Sequence, residues 1–292
     1  MDYDTIIRQV AKGIIMLHEI IDLYKYFDIN KLEGACGYLT VYCHDNTEEI
    51  GLDRVRPAML IIPGGAYAYV STRESEPVGI EYLLHGYNSF VLNYSVAPKC
   101  SFPTQIIEAA MAMIYIRENA DKLHVDKNHV AAIGFSAGGH LTGCLGTMFD
   151  IQELSFLRNK ELIRPDAILL CYPVTYYDGD NTKTHLDSFI NVSANNPELA
   201  KRLSLETHVN KNSSPAFIWH AADDVVVPLD GTLILTNAYY KAGVPVELHV
   251  FEKGGHGLSV CTEETNMVNN EDRIWIQASV NWLKLHGFKM FS

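Results

Sequence analysis

The sequence predicts an α/β protein, with a mostly parallel central sheet flanked by helices. Three observations point there. Short apolar runs alternate with stretches of helical period along most of the 292 residues, the pattern of strands joined by helical crossovers. Several runs, such as residues 57–62 (PAMLII), are apolar at every position, as strands buried on both faces are. One run, residues 130–133, leads into Gly134-Phe135-Ser136-Ala137-Gly138 and then into a helical pattern, a sharp strand-to-helix turn with a serine at its apex.

Taken in order, residues 4–26 carry Ile6, Val10, Ile14, Leu17, Ile21 and Tyr24 at helical spacing and predict an amphipathic helix. Strands are expected at 37–42, 57–62, 89–93, 130–134, 166–172, 216–220 and 246–251. Helices are expected at 74–84, 104–120, 230–242 and 272–285. The second of these sets Ile106, Ala109, Ala110, Met113 and Ile116 on one side. Residues 176–212 break the alternation, being polar and rich in asparagine. An excursion of that length inside a compact domain is usually functional, and a lid-like, substrate-binding insertion is expected. No linker, repeat or low-complexity tract divides the chain, so residues 1–292 read as a single domain.

Composition narrows the partners. A formal net charge of -12 argues against a nucleic-acid surface, which needs clustered Lys and Arg. The apolar run at 13–17 is cut by His18 and Glu19, too short to span a bilayer. The start lacks the basic and apolar regions of a secretory signal. The six cysteines are scattered without a C-x-x-C pair, which suits free thiols in a reducing compartment. A cytoplasmic location is the expectation, and homo-oligomerisation stays open. No H-E-x-x-H or Cys/His cluster suggests a metal, and no cofactor is expected.

The chemistry starts at Ser136. A serine hydroxyl needs a base within hydrogen-bond reach and an acid behind that base. Among the twelve histidines, His256 stands between glycines just after the 246–251 strand, where an imidazole can swing over the sheet edge. His220, ending its own strand, is expected to support the acid loop, and His140 to point away from Ser136 along the helix. The acid falls in His220-Ala221-Ala222-Asp223-Asp224. Asp224 has the expected register, with Asp223 as the alternative. Acyl transfer also needs backbone N–H groups aimed at the developing oxyanion. Ala137 should supply one, and the turn Pro63-Gly64-Gly65-Ala66-Tyr67 another from Gly64 or Gly65, with Tyr67 beside the substrate. Tyr69, Tyr94, Tyr172, Tyr176 and Tyr177 also flank strand ends, and no more than half of these six tyrosines are expected near a ligand.

With P-G-G-A-Y, Y-S-V-A-P, G-F-S-A-G-G-H, H-A-A-D-D-V-V-V-P and G-G-H-G in this order, the chain resembles the α/β-hydrolase family. More narrowly it resembles the esterase and lipase group with an H-G-G-G oxyanion motif and the acetyl-xylan and feruloyl esterase-like enzymes. The resemblance covers roughly residues 55–287. It implies an eight-stranded sheet, with nucleophile, acid and base at Ser136, Asp224 and His256. Pro63 stands where the motif has histidine, Ala66 where it has a third glycine, and Ser95 where arginine is common. The activity implied is cofactor-independent hydrolysis of a small acyl ester, acetyl foremost, on a small-molecule or oligosaccharide alcohol. A peptidase or amidase using the same three side chains, and a non-catalytic binding protein of the same fold, are the competing expectations.

Overall fold

The computed structural model describes residues 16–177 and 183–289. Eight strands form one sheet: β1 (Leu17–Asp22), β2 (Tyr38–Cys43), β3 (Arg56–Ile62), β4 (Asn88–Asn93), β5 (Val125–Phe135), β6 (Ala167–Cys171), β7 (Ala216–Ala221) and β8 (Val246–Phe251). Their spatial order is β1-β2-β4-β3-β5-β6-β7-β8. β2 is antiparallel to both of its neighbours, and every other pair is parallel. The helices are α1 (Leu23–Phe27), α2 (Glu76–Leu84), α3 (Thr104–Glu118), α4 (Ala137–Thr147), α5 (Lys183–Val192), α6 (Pro197–Arg202), α7 (Leu229–Ala242) and α8 (Ile274–Leu285).

The all-apolar strands are buried on both faces because alternate side chains enter opposite layers. On β3, Ala58, Leu60 and Ile62 join the layer that holds Ile106 and Met113 of α3, Leu141 of α4 and Leu235 of α7. Met59 and Ile61 join the layer that holds Val78 and Tyr82 of α2 and Trp275 and Val280 of α8. All five β3 residues are 0% exposed. Burying each large side chain contributes roughly 1.5–3 kcal/mol, so the central strands form a rigid floor for the loops at their ends. No described helix is long and apolar enough to cross a membrane.

One expectation changes. The amphipathic helix of residues 4–26 is replaced, in its described part, by strand β1 and the short α1; residues 4–15 lie outside the described residues. The segment Leu17-His18-Glu19-Ile20-Ile21 alternates half-buried with exposed positions, so a period of two lay beneath the helical spacing. Six backbone pairings with β2, from Leu17 opposite Cys43 to Asp22 opposite Tyr38, decide the outcome. The 176–212 insertion carries α5 and α6. Phe189, Val192, Ala200, Leu203 and Leu205 from it enter the same layer as α3 and α4. That stretch is therefore anchored as part of the core. Asp178, Asp180 and Asn181 of that polar stretch lie outside the described residues.

Candidate active site

Four loops meet where the parallel strands end, after β3, β5, β7 and β8. In open α/β sheets ligands bind beyond these carboxyl ends. Between Phe135, the last residue of β5, and Ala137, the first of α4, Ser136 stands alone. Its backbone lies at φ 53° and ψ -120°, a region that costs a non-glycine residue on the order of 1–3 kcal/mol and persists only where the surroundings enforce it. They do so here. The Ser136 N–H donates to the Cys171 carbonyl at 3.0 Å, and its own carbonyl accepts from the N–H groups of His140 and Val174, both at 3.1 Å. Gly138 lets α4 press against the end of β3, for a Cβ there would meet the carbonyl oxygens of Ile62 and Pro63.

The Ser136 Oγ lies 2.9 Å from Nε2 of His256, and Nδ1 of that ring lies 2.6 Å from Oδ2 of Asp224. The same Asp224 oxygen is 3.2 Å from Nε2 of His220, and Oδ1 accepts from Val226 and Val227 N–H, each at 2.9 Å. Burial works to raise the Asp224 pKa. The hydrogen bonds from His220 and His256, the His256 charge and the Val227 N–H outweigh it and hold the carboxyl well below its ordinary range. His220 is fully buried, with Nδ1 2.8 Å from Thr232 Oγ1 and Nε2 2.8 Å from the Val227 carbonyl. The carbonyl assigns the proton to Nε2, so His220 props up the acid loop, as expected. Asp223 is exposed, and its Oδ1 accepts from Gly255 N–H at 2.9 Å, which pins the loop that carries the base.

The candidate N–H donors separate. Ala137 N–H opens α4, where no carbonyl lies a turn back to receive it, and among the described residues nothing accepts from it. Gly64 N–H is spent on Glu74 Oε2 at 2.9 Å, which removes it from the candidates. Gly65, at φ 120°, keeps an N–H without an acceptor among the described residues. Tyr67 also needs correction as a substrate contact. It is 1% exposed, and its hydroxyl lies 2.7 Å from His140 Nδ1. His140 in turn reaches the Leu203 carbonyl through Nε2 at 2.8 Å, so Tyr67 braces the insertion from below. Tyr94 and Tyr172 are likewise buried, whereas Tyr69 is 58% exposed. Ser95, in place of the arginine, donates from N–H and Oγ to Glu108, a corner between β4 and α3 and not part of this cluster.

Sequence reasoning passed over Glu74, and it left Tyr172 open as one of six tyrosines of which no more than half were expected near a ligand. Arg73-Glu74 reads as a helix start, and nothing in its spacing tells that Glu74 turns inward to 3% exposure. The Tyr172 ring packs edge-on against His256, with centroids 4.9 Å apart.

A mostly parallel eight-stranded sheet with a serine at the β5–α4 turn and an acid and a histidine after β7 and β8 defines an α/β-hydrolase fold. The chain belongs to the BD-FAE family, whose model matches residues 48–239. It is 34% identical over 241 residues to endo-1,4-beta-xylanase B of Butyrivibrio fibrisolvens, covering 80% of this chain and 36% of that protein. Against the acetylxylan esterase of Xylanibacter ruminicola it is 28% identical, covering 78% of this chain and 45% of the relative. The chain thus spans less than half the length of these curated relatives. Among solved structures, the acetyl ester-xyloside bifunctional hydrolase of Caldicellulosiruptor lactoaceticus superposes with a TM-score of 0.80 at 31% identity, covering 94% of this chain and 99% of the other.

Proposed function

We propose that this protein is a serine carboxylic-ester hydrolase that removes a small acyl group, acetyl foremost, from a carbohydrate or other neutral alcohol. The observation that carries the reading is the row Ser136 Oγ, His256 Nε2, His256 Nδ1, Asp224 Oδ2, with both contacts at hydrogen-bond length. His256 takes the Ser136 proton as Oγ bonds to the ester carbonyl carbon. The carbonyl electrons move onto oxygen, which the N–H groups of Ala137 and Gly65 receive. The C–O bond to the alcohol then breaks, and the alcohol leaves with the proton from His256. A water molecule, deprotonated by the same imidazole, attacks the acyl-serine; the bond to Oγ breaks, the acid leaves, and His256 returns the proton to Ser136 Oγ. Asp224 holds the imidazole in the tautomer that leaves Nε2 free to accept.

The acetyl and carbohydrate parts of the reading are supported by the names of relatives: acetylxylan esterase, and acetyl ester-xyloside bifunctional hydrolase. Burial of Tyr67, Tyr94 and Tyr172 withdraws aromatic faces that a sugar could otherwise stack on. Sugar contacts then fall to the rim, at exposed Tyr69 and the insertion. The test is a panel of chromogenic esters of rising acyl length, run beside acetylated xylo-oligosaccharides and matched anilides. The reading expects kcat/KM to fall steeply beyond short acyl chains, with acetate released from the oligosaccharide. Anilides turned over as fast as esters would favour the amidase reading instead.

A further inference from the structure

Beneath the Gly64–Gly65 turn lies a buried carboxyl group that the proposed chemistry does not use. Glu74 is 3% exposed, and among the described residues it forms no ion pair. Both of its oxygens are occupied. Oε2 accepts from Gly64 N–H at 2.9 Å, and Oε1 accepts from the Tyr172 hydroxyl at 2.8 Å. The Tyr172 oxygen accepts in turn from Ser259 N–H at 2.9 Å, and its ring lies edge-on to His256. Burial foremost, and then the Glu74 carboxyl, hold the Tyr172 phenol well above its ordinary pKa, so it stays a hydrogen donor.

We infer that Glu74 is a positioning residue for the ester hydrolysis proposed above, fixing the Gly64–Gly65 turn on one side and, through Tyr172, the His256 ring on the other; the inference rests on that reading. A buried acid without a cation is costly, and a neutral amide would be the cheaper partner for one N–H. Only a carboxyl offers two acceptors to two donors that arrive from different strand ends. Glutamine could satisfy Gly64 with its oxygen. Its NH₂ would then face a Tyr172 oxygen already accepting from Ser259, and the phenol O–H would lose its acceptor. By holding Gly64 N–H, Glu74 also fixes the turn that carries Gly65, whose N–H is one of the two proposed oxyanion donors.

The experiment compares Glu74→Gln, Tyr172→Phe and the double variant of the full chain, with Ser136→Ala as reference, on one chromogenic acetate. Glu74→Gln should lower kcat about 10- to 100-fold while KM stays within about threefold, as expected when an interaction matters mainly in the transition state. Tyr172→Phe should lose about tenfold, and the double variant about as much as Glu74→Gln alone, because residues in one network are not additive. A lowered melting temperature with parental kcat would overturn the inference, leaving a structural carboxyl. Fully multiplicative losses in the double variant would overturn the link through Tyr172. If Glu74→Gln does not fold, Tyr172→Phe, which deletes a single oxygen, carries the same comparison of kcat with KM. Activity retained by Ser136→Ala would sink the proposed function itself; an inactive Ser136→Ala beside an unaffected Glu74→Gln would sink only the positioning role.

Discussion

Asp272 shows how far a residue's behaviour can depart from its type. It lies just ahead of α8 at 2% exposure, and its Oδ2 has no hydrogen-bond partner among the described residues. That oxygen sits against Gly254, at the start of the loop that carries His256. Burial first, then the charges of Glu271 and Asp223, push its carboxyl up to about 6. In an unfolded chain an aspartate titrates at about 3.9, so the folded protein binds this proton more tightly. The stabilisation is fully present below about pH 4 and is lost as pH rises through about 6. Asp272→Asn keeps the neutral form at every pH. Its melting temperature should match the parent near pH 4 and exceed it at about pH 8; a difference constant across that range would contradict the assignment. Other residues could be read directly. Ser136, His256 and Asp224 sit in local patterns set by neighbouring glycines and strand ends. Glu74 and Tyr67 could not be read, because what decides their place is burial against residues far off in sequence: Tyr172 for Glu74, and His140 for Tyr67.

Among the elements, the loop after β7 divides its work between two adjacent aspartates. Asp224 turns inward to His256 and His220, and Asp223 turns outward to Gly255 N–H. Asp224→Asn should cut kcat by about 10³- to 10⁴-fold, because the imidazole loses the group that fixes its tautomer. Asp223→Asn should stay within about tenfold of the parent, since a single hydrogen bond contributes roughly 0.5–1.5 kcal/mol. Steady-state kinetics on one ester decide the matter, and reversed losses would shift the acid by one residue. The strands β3 to β7 were legible because burial on both faces leaves no ambiguity of period. β1 was not. An edge strand is half exposed, and its apolar residues satisfied a helical spacing until pairing with β2 settled it. The insertion was legible as a break in the pattern. Its anchoring was hidden, because Leu205 seats against Gly143 of α4, a contact between segments distant in the chain.

At the scale of the molecule, the sheet does the assembling. Parallel strands send four loops to one edge, and the two layers beneath them leave little freedom in how those loops meet. Ser136 and His256 stand 120 positions apart in the chain and 2.9 Å apart in space. That meeting makes Ser136 the nucleophile of the proposed hydrolysis. Incubation with a serine-directed phosphonate, followed by peptide mass spectrometry and assay of residual esterase activity, tests it most directly. One adduct per chain is expected, on Ser136, with activity lost in proportion to labelling and no adduct on Ser136→Ala. An adduct on another residue that accompanies the loss of activity, or full labelling of Ser136 with activity intact, would contradict it.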